Sequence, residues 1–220
     1  MKKIASLFGA ALALPLIATP AAAEVKLFKK YAYGAPVSEF NTQPGYYDCS
    51  ADVGPGAICH DDVEFVGSKF TAALVFSGDK LYMLSLIREF DNDTYTKTMG
   101  ALAKSFSLVA MAGADSQLDL VDLARKSSNA GEFTAAINNY ESVGLNAGNL
   151  TYSFIEGPNL LARKHANAAV ALASVPETSR SADLVVYSGG VESALVVRFT
   201  FPKLEAMKIE QAMAAPAEKF

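Results

Sequence analysis

The chain is poor in the residues that run most enzyme chemistry. Its 220 residues include two histidines, His60 and His165, and two cysteines, Cys49 and Cys59. No Gly-x-Ser-x-Gly elbow supplies an activated serine. No Gly-x-Gly-x-x-Gly follows a strand and no Gly-Lys-Ser/Thr occurs, so nothing announces a nucleotide, and no cofactor is expected. Beyond residue 23 no apolar run approaches the length of a membrane-spanning helix, so no stable membrane insertion is expected once the leader is gone. Clustered basic charge is also missing. Residues 24–220 carry 17 Lys and Arg against 23 Asp and Glu, which gives no electrostatic reason to expect nucleic acid as a partner. Lys26, Lys29 and Lys30 form the one basic knot, and they read as solvated residues of a first strand or arm.

What is present begins with an address. Lys2 and Lys3 precede an uncharged apolar stretch from Ile4 to Ile17, and Ala21-Ala22-Ala23 offers a small-x-small cleavage site. That order is the order of a secretory signal peptide of bacterial type. Residues 1–23 are therefore expected to be removed, residues 24–213 to form a single domain, and 214–220 to trail as a loose tail. The expected location is the periplasm. No cysteine stands near the cleavage site to carry a lipid anchor.

An oxidising compartment gives two isolated cysteines an obvious use. Cys49 and Cys59 are expected to form a disulfide, with Gly54-Pro55-Gly56 reversing the chain between them. Zinc would need both thiols reduced, and Cys-x9-Cys-His is no standard zinc spacing. Asp61-Asp62 and Asp91-Asn92-Asp93 lack the alternation and glycine of a calcium loop. No metal is expected.

The hydrophobic pattern gives an α+β class. From Ile58 to Arg88 apolar residues alternate through three segments, with a turn at Ser77-Gly78-Asp79, which predicts an antiparallel meander. Tyr95, Met99, Leu102 and Phe106 fall on one helical stripe, with Gly100 inside it as a local cost or a close-packing site. Helices are also expected from Asp115 to Lys126, around Phe133–Tyr140 and from Leu160 to Ala173. Leu150–Ile155 reads as a strand, and Leu184–Phe201 as a second hairpin turning at Ser188-Gly189-Gly190. The expected architecture is an antiparallel sheet of five or six strands with helices mainly on one face. Leu74–Asp79 echoes Val185–Gly190; a weak internal duplication would produce this, but a shared turn rule already explains it.

Two groups of residues are candidates for function. His60, with Asp61, Asp62 and Glu64 beside it, has the composition of a general base oriented by a carboxylate. Phe40, Tyr46 and Tyr47 supply the aromatic surface that a sugar or peptide would stack on, with core filling as the plainer use. With no nucleophile, metal set or cofactor loop, the leading expectation is a non-catalytic periplasmic binding or accessory module for an envelope protein or small molecule. The alternatives are a hydrolase built on His60 and an inhibitor or assembly partner.

Overall fold

The computed structural model describes residues 25–157, 159–163, 165–188 and 193–214. The expected leader, the Gly189-Gly190 turn and most of the expected tail lie outside them. The chain runs β1 (Lys26–Phe28), β2 (Tyr31–Ala32), β3 (Tyr46–Asp48), α1 (Ser50–Val53), β4 (Ile58–Phe65), β5 (Ser68–Ser77), β6 (Lys80–Glu89) and α2 (Asn92–Leu102). It continues through β7 (Phe106–Ala112), β8 (Gln117–Asp119), α3 (Leu120–Lys126), α4 (Ala130–Asn146) and β9 (Asn149–Glu156). Last come α5 (Ala168–Ser174), β10 (Ser181–Tyr187), β11 (Ala194–Thr200) and α6 (Pro202–Ala214).

Nine strands form one antiparallel sheet in the order β3-β4-β5-β6-β11-β10-β9-β7-β8, and β1 and β2 form a separate ribbon. The α+β class holds, and the expected count of five or six strands is corrected upward. The shortfall has local causes. β3 and β8 are three residues each, too short to show a period. β7 is apolar at nearly every position because both of its faces are covered, so it shows no alternation. Phe106 is not the last residue of a helix: α2 stops at Leu102, and Phe106 opens β7. The segment expected as helix from Asp115 begins as β8 and turns helical only at Leu120.

The sheet is arranged symmetrically about its middle. β3-β4-β5-β6 followed by α2 is matched by β7-β9-β10-β11 followed by α6, and the halves meet where β6 pairs with β11, from Glu89↔Ala194 to Met83↔Thr200. The second half carries extra pieces: β8, α3 and α4 between its first two strands, and α5 between its second and third. The Leu74–Asp79 and Val185–Gly190 echo is out of register with this arrangement. Leu74 lies in the main core, whereas Val185 sits between the core residues Leu184 and Val186 and faces the other side. A slip of one residue exchanges the faces of a strand.

One face of the sheet makes that main core. Phe70, Leu74, Leu84, Leu86, Leu184, Val197, Phe199, Tyr152 and Phe154 pack beneath Tyr95 and Met99 of α2, Phe133 and Ile137 of α4, and the ribbon residues Leu27 and Tyr31. Helix starts are chemically marked: Asp91, Asp119, Asn129 and Asn167 each accept a backbone N–H of the first turn. The opposite face carries two separate clusters. Val109, Val121, Ile155, Leu160 and Ala171 gather near α3 and α5, while Cys49, Ala57, Cys59 and Ala73 gather near α1.

Candidate aromatic cleft at the stapled sheet edge

β3 is an edge strand, and a disulfide anchors the loop at its C-terminal end. Cys49 and Cys59 are bonded, with Cα atoms 5.8 Å apart, within the range a bridge requires. Tyr47 pairs with Cys59, so the bridge joins the end of β3 to its partner strand. Inside the loop the Asp48 Oδ1 accepts the Ser50 N–H at 2.8 Å, and the Ser50 hydroxyl accepts the Gly56 N–H at 3.1 Å. Hydrogen bonds from the Ser50 side chain and backbone hold the Asp48 carboxyl below its ordinary range. The Ala57 N–H reaches the Gly54 carbonyl at 3.1 Å, which is the chain reversal that the Gly-Pro-Gly spacing predicts.

A cleft of about 370 Å³ opens at this edge, lined by Asn41, Tyr46, Tyr47, Asp48, Ser50 and Ile58 among others. Tyr46 also walls a second hollow of about 200 Å³ with Lys30, Glu39, Phe40 and Gln43. The three aromatic candidates thus differ in use. Phe40 is buried, with its ring 5.9 Å from Phe76 and 6.3 Å from Tyr31, and serves the core. Tyr46 is half-buried between the two hollows. Tyr47 is 45% exposed, yet its hydroxyl donates to Asp61 Oδ1 at 3.0 Å, and Thr71 donates to the same oxygen at 2.7 Å. The hydroxyl is thus anchored on a residue that stays largely open to solvent.

His60 and the neighbouring acidic residues part company. His60 shares the face of Tyr46, its directly paired residue, and the rings stack with centroids 4.6 Å apart. Its Nδ1 lies 3.4 Å from the Tyr31 hydroxyl. Asp61 turns to the other face, toward Tyr47 and Thr71. Asp62 has a positive φ at the irregularity in β4 and makes an exposed ion pair with Lys69 at 3.2 Å. The Glu64 backbone carbonyl accepts the Lys29 ammonium. Among the described residues the contacts of His60 are thus with Tyr31 and Tyr46, and no carboxylate is seen against its ring. His165 lies 3.4 Å from the Ser174 hydroxyl, outside this region. Among the described residues no group of three or more His, Cys, Asp or Glu side chains converges in a way that holds a metal.

Several polar features carry no motif. Tyr95, Tyr152 and Glu141 meet beneath α2 and α4, with both hydroxyls reaching the same Glu141 oxygen. Ser77 and Lys80 have Ser-x-x-Lys spacing, but they are the directly paired residues that close the β5–β6 hairpin. Arg198 is a charged residue inside the apolar run Leu195–Phe201, and that interruption was the available signal for it.

No protein family, curated protein or solved structure matches the chain.

Proposed function

We propose that the chain is a non-catalytic, exported binding module for an envelope component, and that its ligand sits in the Tyr46–Tyr47 cleft. The observation that carries the reading is the presentation of Tyr47: an exposed residue whose hydroxyl is held by Asp61, which Thr71 holds in turn, on an edge fixed by a disulfide. Holding an aromatic face in place before binding lowers the ordering cost of stacking a sugar or peptide group on it. Asn41, Asp48 and Ser50 line the same cleft and supply hydrogen-bonding groups around that face. The disulfide fits an oxidising compartment. Among the described residues no helix is long and apolar enough to cross a membrane.

The test is co-sedimentation of the mature chain with purified peptidoglycan sacculi and, separately, with envelope membrane vesicles. Retention by one of them should fall at least tenfold for Tyr47→Ala, with the melting temperature unchanged. Equal retention of Tyr47→Ala and wild type, or no retention by either material, would overturn the reading.

A further inference from the structure

The two half-sheets end differently at their outer edges. β3 is the counterpart of β7, each being the strand of its half that lies farthest from the β6–β11 seam. The outer edge of β7 is covered: β8 pairs with it antiparallel through Ala110↔Asp119, Met111↔Leu118 and Ala112↔Gln117, and Leu118 packs against the main core. Among the described residues no strand does this for β3, which ends the nine-stranded sheet. Its free groups can be named. The Cys49 N–H donates to the Ala57 carbonyl at 3.1 Å, so that pair and, two residues back, Tyr47↔Cys59 occupy the hydrogen-bonded positions of the β3–β4 ladder. Tyr46 and Asp48 therefore turn their backbone groups outward. The Tyr46 N–H bends back to the Gln43 carbonyl at 3.4 Å. For the Tyr46 carbonyl and for the Asp48 N–H and carbonyl, no described partner is seen.

The cleft of about 370 Å³ lies along this same edge, and Asp48 is the one charged residue among its described lining. Hydrogen bonds from Ser50 keep that carboxyl anionic, and no described cation pairs with it. Lys30, whose Nζ is 5.4 Å from the centroid of the Tyr46 ring, belongs to the neighbouring hollow and does not line this one. A bare strand edge pairs indiscriminately, and a charge on it restricts what can pair. An aspartate in that position repels acidic strands and admits basic ones.

We propose that the open edge of β3 receives an extended segment of a partner protein, which pairs antiparallel as β8 pairs with β7 and sets a Lys or Arg side chain in the cleft against Asp48. Resting on the reading of this cleft as the binding site, the assignment narrows its ligand to a peptide. In strand addition the backbone hydrogen bonds give affinity, and pockets for alternate side chains give selection. β8 holds its place with three residue pairs because a short loop, residues 113–116, tethers it to β7. A strand from another chain has no such tether, and the cleft with its carboxylate supplies the second hold.

The test is fluorescence polarisation of the mature protein with three labelled peptides: Thr-Lys-Thr-Lys-Thr, Thr-Glu-Thr-Glu-Thr, and the lysine peptide with every backbone amide N-methylated. The lysine peptide is expected to bind saturably, and the other two at least tenfold more weakly. Asp48→Asn, which keeps an acceptor for the Ser50 N–H, should reduce the preference for lysine over glutamate at least tenfold. If that variant fails to fold, judged by its melting transition, added salt on the wild-type protein provides the second arm and should erase the same preference. Equal binding of the lysine and glutamate peptides, undiminished binding of the N-methylated peptide, or no binding of the lysine peptide would overturn the proposal. A mature chain that sediments as a dimer and excludes the peptide would give the edge to a second copy and overturn it too. Tyr47-dependent retention on sacculi or vesicles without lysine-peptide binding would keep the cleft as a binding site and sink only its peptide occupant.

Discussion

Arg180 grips Glu156 with two of its side-chain nitrogens, one of them at 2.9 Å, and places a third on the Leu27 carbonyl at 3.2 Å. One side chain thus ties the start of β10 to the end of β9 and both to the β1–β2 ribbon. Its guanidinium also lies 5.4 Å from the centroid of the Phe106 ring.

That contact predicts an acid dependence. Burial acts to raise the Glu156 carboxyl, and the Arg180 hydrogen bonds and charge outweigh it, so the group titrates below its ordinary value. A depressed carboxyl contributes stability above the unfolded value of about 4.3, and that contribution is lost as pH falls through the folded value. Arg180→Ala should cost about 2 kcal/mol at neutral pH and flatten the acid limb of a stability–pH curve measured by denaturant unfolding. An unchanged limb would mean that the pair does not govern acid stability.

The buried tyrosines predict the opposite limb. Burial pushes the Tyr95 phenol up to about 12, and the Glu141 charge adds to the shift although the Tyr152 hydrogen bond opposes it. Tyr152 is raised further, by burial first and then by its bonds to Glu141 and Tyr95. A raised phenol contributes stability in full below the unfolded value of about 10 and loses it as pH rises through the folded one. Denaturant unfolding at increasing alkaline pH should show this decline. Tyr152→Phe should cost about 1–2 kcal/mol at pH 7 and make the decline shallower.

Two helix glycines should respond with opposite signs. A Cβ at Gly100 in α2 meets open space, so Gly100→Ala should stabilise by up to about 1 kcal/mol. Of the two uses the sequence allowed for that glycine, this is the local cost. A Cβ at Gly144 in α4 would stand 2.6 Å from Leu150 Cδ1, on a side chain that is fully buried. Gly144→Ala should therefore lose about 1 kcal/mol or more despite its better helix propensity. Thermal melts of the two variants decide it.

Reducing the Cys49–Cys59 bridge should lower stability by about 2–3 kcal/mol, the chain-entropy value for a loop this short. Because the bridge pins an edge strand and a loop, hydrogen exchange should rise first in residues 46–62 and later in the β6–β11 seam. Equal loosening of both regions would show the staple supporting the whole core.

The sequence carried the parts whose burial alternates. β9 sets partly covered residues between the buried Leu150, Tyr152 and Phe154, and β5 does the same with Thr71 between Phe70 and Ala72, so period two is visible there, and the Ser-Gly-Asp turn marks where β5 reverses: Gly78 and Asp79 both take positive φ. β7 hid because Ser107, Val109, Ala110 and Met111 are all covered, and because Phe106 completed a helical stripe at the right spacing by coincidence. The cleft was legible in composition, since Tyr46, Tyr47 and the cysteines stand close in sequence. Their separation by face was not, because it depends on the pairing of β3 with β4. His60 and Asp61 are neighbours in the chain and belong to opposite sides of the sheet for the same reason. Ser85, Arg198, Asp183 and Ser153 lie in one row across β6, β11, β10 and β9, and only the register of all four brings them into line.

The central position of β11 has a consequence for assembly. Its partners are β6, from the first half of the chain, and β10, from the second, so both half-sheets have an open edge until β11 arrives. Pairing Glu89 with Ala194 closes a very long loop, and contacts of such separation form slowly. A chain emerging N-terminus first thus lacks the keystone of its sheet until nearly all of it has emerged. Until then β6 in one half and β10 in the other each present an unpaired strand edge.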